Sequence, residues 1–200
     1  VDDDILVLNK PAGLLTVAGK TPDLADCLEA RALKDYPSAT IIHRLDKDTS
    51  GIIVLALNAK SHAHIGRQFE KRQTRKRYIA EVWGQMTGAS GRVDQPMASD
   101  WPNRPKQHVD QVMGRTAITD WNVLELDETS TRVELHPLTG RTHQLRVHMS
   151  FLGHPILGDN LYAPTEALAA SARLCLHAEM LEFRHPNGGV GVRFESEVPF

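Results

Sequence analysis

A nine-residue polar loop set hard against an apolar run restricts the fold of this chain more than any other feature. His43-Arg44-Leu45-Asp46-Lys47-Asp48-Thr49-Ser50-Gly51 carries two carboxylates and a guanidinium between Ile41-Ile42 and the run Ile52–Leu57. That run is short and β-branched, so it reads as a buried strand. Loops at strand ends are where a rigid scaffold presents reactive groups. By residue type, Asp46 or Asp48 could serve as a nucleophile or an acid/base, and Arg44 could bind phosphate. The plain alternative for Asp48-Thr49-Ser50 is an Asx-type turn whose side chains bond the local backbone.

The rest of the pattern mixes short strands with a few helices. Ile5–Asn9 reads as a strand ending at the turn Lys10-Pro11-Ala12-Gly13. Thr21-Pro22-Asp23 looks like a helix start, with Leu24, Leu28, Ala32 and Tyr36 at helical spacing and Pro37 as the stop. Ser61–Arg72 has Ile65 and Phe69 on one helical face, and Tyr78–Gly84 alternates as a strand. Thr87–Val93 and Ser99–Lys106 read as loops. Ala117–Leu126 and Thr131–His136 form an expected hairpin. Thr142 is placed to cap a helix running to Leu152 and closed by Gly153. A short helix is expected around Thr165–Ala172. Leu174–Arg184 and Val190–Glu195 flank Asn187-Gly188-Gly189, a strong turn signal. Strands outnumber helices without regular alternation, which predicts an α+β fold around a mixed, mostly antiparallel sheet.

Composition narrows the partner classes less than the local charge does. A chain of 200 residues can bury roughly 70% of its unfolded surface without disulfide or metal. Cys27 and Cys175 lie in no C-x-x-C motif and read as buried thiols in a reducing compartment. No run approaches the roughly 18 apolar residues of a membrane span, and no signal peptide is visible. The chain starts without Met, so native residues are expected ahead of Val1. The formal net charge is −2, but screening over about 8 Å lets local clusters outweigh the total. Arg67–Tyr78 holds six basic residues and one acid, Glu70. Arg104-Pro105-Lys106-Gln107-His108 is a second basic cluster. Two solvated surface segments would look the same.

Four motifs, in order, resemble the RluA-type pseudouridine synthases. HRLDKDTSG resembles the family's signature loop, LNKPAGLLT (Leu8–Thr16) its first strand and turn, RKRYIAEVWG (Arg75–Gly84) its tyrosine motif, and LTGRTHQLRVH (Leu138–His148) its basic motif. LGHPILGD (Leu152–Asp159) follows as in the family. DWPNRPKQ (Asp100–Gln107) and LCLHAEMLEF (Leu174–Phe183) look like the members that modify both 23S ribosomal RNA and a transfer RNA anticodon stem-loop. The resemblance implies one catalytic domain over residues 1–200, with helices flanking the sheet, a central cleft and no S4-type RNA-binding domain. It also implies a cytoplasmic protein, with a monomer as the default.

The implied reaction breaks the C1′–N1 bond of uridine, turns the base and rejoins it through C5, needing neither cofactor nor metal. Asp46 matches the catalytic aspartate. Attack at C1′, addition at C6 of the base and a glycal route all remain open at this level. Tyr78 matches the active-site tyrosine, able to stack on the base or relay a proton. Arg146 matches the basic partner of the aspartate, which would keep that carboxyl ionised, and Arg141 is the second candidate. Arg44 is implied in flipping the target uridine out of its stack, which costs a few kcal/mol; a salt bridge is its plain alternative. His43, Thr49 and Arg141 are expected to bind substrate. Arg67, Lys71, Arg72, Arg75, Lys76 and Arg77 are expected on RNA phosphates, since folded RNA is read through loops and shape.

Three other functions compete for the same motifs. A silent RNA-binding module would not need Asp46, Tyr78 and Arg146 together. An rRNA-only synthase of the same type shares most of the motifs. A glycosidase would use Asp46 and Asp48 as its carboxylate pair, against the full motif set. His177-Ala178-Glu179 has the form found in zinc deaminases but lacks their P-C-x-x-C partner.

Overall fold

The computed structural model describes residues 1–200. Along the chain run β1 (Ile5–Lys10), a 3-10 turn at Pro22–Leu24, α1 (Leu28–Asp35), β2 (Thr40–Ile41), β3 (Ser50–Ala56), α2 (Ala59–Glu70), β4 (Arg75–Trp83), β5 (Ser90–Asp94), β6 (Met97–Ser99), β7 (Gln107–Val109), β8 (Ile118–Leu126), β9 (Ser130–Pro137), α3 (Gln144–Phe151), α4 (Thr165–Ala169), β10 (Leu176–Arg184) and β11 (Gly191–Glu195). They form two compact units. The first holds residues 1–76 and 177–199; the second holds 77–176 and Phe200.

The apolar run becomes the central strand of the first unit, buried at every residue of β3. One edge of β3 pairs antiparallel with β1 along its length, from Ile5↔Ala56 to Lys10↔Gly51. A strand has only two edges, so the remaining pairings share the other. β2 takes Leu55 and Ala56 there, and β10 runs parallel beside Ser50 and Gly51. Gly51 suits that junction: its φ is +118°, and a Cβ would fall 2.2 Å from the Ala178 carbonyl oxygen. β11 closes the sheet against β10. Ile65 and Phe69 of α2 pack with Ile5, Val54, Leu181 and Phe183, as their spacing predicts. Each such buried apolar side chain is worth about 1.5–3 kcal/mol.

The second unit is antiparallel, in the order β4-β9-β8-β5. Its core joins Val82, Val133, Leu135 and Trp121 to Leu145 and Met149 of α3 and to Ile156. β6 and β7 make a separate small hairpin. The expected α+β class, with a mixed and mostly antiparallel sheet, is the one observed.

Three local expectations give way. The helix anticipated from Pro22 is broken. Cys27 is extended, its Sγ accepts the Ala30 N–H, and Leu28 and Glu29 donate back to the carbonyls of Leu15 and Thr16, so α1 starts only at Leu28. Residues 90–94, overlapping the loop expected at 87–93, form β5 because they find a full ladder on β8. Thr142 does not cap α3. His143 holds that position in a left-handed conformation, φ 55°. The helix start is fixed by Gln144 instead: Nε2 donates to the Ile118 carbonyl and Thr119 Oγ1, while Oε1 accepts from Thr139 Oγ1 and the Arg141 N–H. Cys27 and Cys175 are free, buried thiols.

Candidate active site

In the first unit the polar loop is gripped on both sides of Asp46. Thr16 is buried; its hydroxyl donates to the Leu45 carbonyl at 2.7 Å and accepts the Leu45 N–H at 3.2 Å. Lys10 is wholly buried, and its ammonium donates to the carbonyls of Pro11 (2.9 Å), Leu14 (2.7 Å) and Lys47 (2.9 Å). The residues before and after Asp46 are therefore held in place, while Asp46 itself stays half-buried and Arg44 is exposed. A loop held this way presents a carboxylate with little conformational freedom left to lose. Sequence reasoning passed over both anchors, because a lysine in a K-P turn looks like an exposed charge.

The loop's other members are scaffold more than surface. Ser50 Oγ lies 2.8 Å from His177 Nδ1, and His177 Nε2 lies 2.7 Å from Ser196 Oγ. This buried chain ties the loop's exit to β10. The Thr49 hydroxyl is buried without a hydrogen-bond partner. The His43 ring stacks on Phe69 with centroids 4.5 Å apart. Its Nε2 accepts the Val54 N–H at 3.2 Å, between the stretches of β3 that β2 and β10 occupy.

That acceptor role requires an unprotonated Nε2. Burial, helped by the nearby Lys76 ammonium, lowers the His43 imidazole to about 3, against about 6.5 in an unfolded chain. A folded-state value below the unfolded one means stability that is complete above pH 6.5 and is lost as pH falls towards 3. From pH 7 to pH 5 this group should cost about 2 kcal/mol in urea unfolding. His43→Gln, an acceptor that does not titrate, should lack that loss. Equal pH slopes in the two proteins would refute this role for His43.

The basic stretch divides between the units. Arg67, Lys71 and Arg72 are exposed at the end of α2. Arg75 is 3.8 Å from Glu182. Lys76 is drawn inward, and burial, together with Arg72, lowers its ammonium to about 8. Arg77 belongs to the second unit and sits 3.7 Å from Glu134. Only part of the stretch is therefore a free-standing charged surface.

In the second unit Tyr78 is half-buried on β4, opposite Leu135 of β9, and packs on the core. Arg146 on α3 is 2% exposed. Its Nε and Nη2 donate to the two oxygens of Asp159 at 2.8 and 2.6 Å, and Nη2 also reaches Asn160 Oδ1 at 3.1 Å. Asp159 Oδ1 in turn accepts the N–H groups of Leu161 and Tyr162. A bidentate fork on a fully buried carboxylate fixes the guanidinium plane. Nothing in the spacing of LGHPILGD revealed that Asp159 would do this. The Tyr162 ring lies 5.3 Å from the Arg146 guanidinium, and its hydroxyl is 2.7 Å from His143 Nδ1. Arg141 Nε donates to the Thr116 carbonyl at 3.0 Å. Arg44, Asp46, His43 and Thr49 thus sit on one loop of the first unit, and Tyr78, Arg141 and Arg146 in the second.

Comparison with known proteins bears on the whole chain. Residues 4–151 match the family described as RNA pseudouridylate synthase. The proteins named dual-specificity RNA pseudouridine synthase RluA from Yersinia pestis and from Escherichia coli K12 are 48% and 50% identical to it over 200 residues. Those alignments cover 100% of this chain and 97% and 91% of the relatives. Among solved structures, human RNA pseudouridylate synthase domain containing 1 superposes with a TM-score of 0.83 at 30% identity, covering 100% of this chain and 82% of that one. Human RNA pseudouridylate synthase domain containing 4 gives 0.79 at 28% identity, covering 100% and 87%.

Proposed function

The chain belongs to the RNA pseudouridine synthase family, and from that premise we propose that Asp46 is the carboxylate with which it converts uridine to pseudouridine in stem-loops of both 23S ribosomal RNA and transfer RNA. It is an isomerase acting on RNA. The double substrate is our reading for this chain of its 50% identity to a relative whose name carries "dual-specificity". The observation that carries Asp46 is the grip of Thr16 and Lys10 on its two neighbouring residues, Leu45 and Lys47. Both units act in this reading as parts of one catalytic domain, working as a monomer in the cytoplasm. No helix is long and apolar enough to cross a membrane.

The chemistry assigns each residue a task. The C1′–N1 bond breaks, the uracil turns, a C1′–C5 bond forms, and the C5 proton passes to solvent as N1 regains one. Arg44, exposed and planar, fills the place of the extruded base and hydrogen-bonds its neighbours. Tyr78 stacks on the turning base. Arg146, with its fork held by Asp159, supplies a fixed positive charge for the carboxylate chemistry, and Arg141 a second. Thr49, its hydroxyl buried inside the loop, backs the loop from within rather than touching RNA. Arg67, Lys71, Arg72, Arg75, Lys76 and Arg77 meet backbone phosphates.

An RNA stem-loop carrying tritium at uridine C5 tests this directly. Isomerisation releases tritium to water, whereas binding or glycosidic hydrolysis does not, so a bound but silent stem-loop would end the proposal. The phosphate contacts have their own signature. Log affinity should fall against log salt with a slope of roughly −0.7 per contact, and neutralising Arg67 and Lys71 should flatten it by about one unit or more. A slope that is flat in the wild type would remove the basic stretch from RNA binding.

A further inference from the structure

Residues 95–117 of the second unit form an arm. β6 and β7 are its hairpin, and Met97 and Arg115 exchange backbone hydrogen bonds at its base. The tip is closed by its own polar groups. Asp100 N–H donates to the Lys106 carbonyl, Lys106 N–H to Asn103, and the Asn103 amide to both oxygens of Asp100. A tip so well satisfied has no need of a large aromatic, yet Trp101 stands on it 68% exposed. The Arg104 guanidinium lies over the indole, 3.3 Å from the ring centroid. An indole covered on one face and still this exposed offers its other face to solvent. With the Asp100 carboxylate engaged by Asn103, Arg104 and Lys106 give the tip a positive character.

A free aromatic face beside guanidinium and ammonium groups matches the surface of an unpaired nucleotide, a flat base next to a phosphate. A duplex buries its bases against each other and would offer only its phosphates. The arm is also firmly mounted. The Gln107 N–H donates to Tyr162 Oη at 2.9 Å, and that same hydroxyl meets His143 at the start of α3.

We propose that this tip is a second RNA contact, in which Trp101 stacks on an unpaired base and Arg104 and Lys106 meet its phosphates. The inference rests on the RNA-modifying reading above and adds a specificity contact to it. Trp101→Ala should raise the Kd for an RNA stem-loop about five- to a hundredfold, the span of one lost base stack. The single-turnover rate at saturating RNA should stay near the wild type. Trp101→Phe, which keeps a stacking ring, should recover most of the affinity. Binding to a fully paired RNA duplex should not respond to Trp101→Ala at all. Tryptophan fluorescence of the otherwise unaltered Asp46→Asn protein should be quenched by the stem-loop, and Trp101→Ala should remove that quenching. If the wild type releases tritium but Trp101→Ala binds the stem-loop normally, the tip proposal is wrong and the synthase reading stands. Equal weakening on stem-loop and duplex would also refute stacking. If the wild type neither binds the stem-loop nor releases tritium, both readings fall.

Discussion

Lys10→Met is expected to lower the melting temperature by roughly 10 °C and, at temperatures where the variant is still folded, to cut turnover sharply while leaving RNA affinity nearly intact. An ammonium has three donors, and here each meets a main-chain carbonyl at 2.7–2.9 Å with no exposure to water. Methionine fills much the same volume and donates nothing. Leaving buried carbonyls without their donor costs about 1–3 kcal/mol apiece, and in a domain of this size each kcal/mol moves the midpoint by about 2–4 °C. The effect on turnover follows from which carbonyls are lost. Two belong to the turn after β1, but the third is that of Lys47, the residue next to Asp46. Loosening that peptide lets the carboxylate wander, and a misplacement of about 1 Å can cost a hundredfold in rate. The split between kcat and KM separates positioning from mere fragility. A variant that melts early but turns over normally at low temperature would show that Lys10 only holds the fold together. One that melts and turns over like the wild type would show that the Lys10 contacts contribute to neither.

The anchors also show what the sequence could and could not reveal. Elements decided by local pattern were legible. The paired runs of the β8–β9 and β10–β11 hairpins and the Ile65/Phe69 face of α2 all follow from periodicity and turn residues. The loop bearing Asp46 was legible as a loop, because polar residues between two apolar runs leave few alternatives. What stayed hidden depends on partners far along the chain. Lys10 meets a carbonyl 37 residues away, Thr16 one 29 residues away, and Arg146 a carboxylate 13 residues away. A charge that folding will bury looks, in sequence, like any surface charge. The break in the helix anticipated from Pro22 has the same origin: Cys27 is drawn into a bridge with Leu15, and propensity yields to that pairing. His43 is expected as a substrate contact; its ring also accepts a hydrogen bond from β3, a demand set by the gap between β2 and β10 that no local pattern shows.

Asp46→Asn should abolish tritium release, by a factor on the order of 10⁴ or more, and still bind the stem-loop. The amide has nearly the shape of the carboxylate, so the grips of Thr16 on Leu45 and Lys10 on Lys47 persist, since they are made by backbone atoms that the substitution leaves alone. What disappears is the negative charge and the nucleophilic oxygen, which each of the three open routes requires in some form. Affinity, by contrast, comes mainly from cations on phosphates and from stacking, none of which involves this side chain. Loss of chemistry with retained binding is therefore the pattern of a reacting group rather than a recognition group. Asp48→Asn is the natural comparison. The two carboxylates are two residues apart on the same half-buried loop, and a hydrolytic carboxylate pair would need both. Asp48→Asn should keep most of the tritium release. If both variants were equally dead, the loop would act as a pair and the single-carboxylate assignment would fail. If Asp46→Asn turned over near the wild-type rate, the reacting group would have to lie elsewhere.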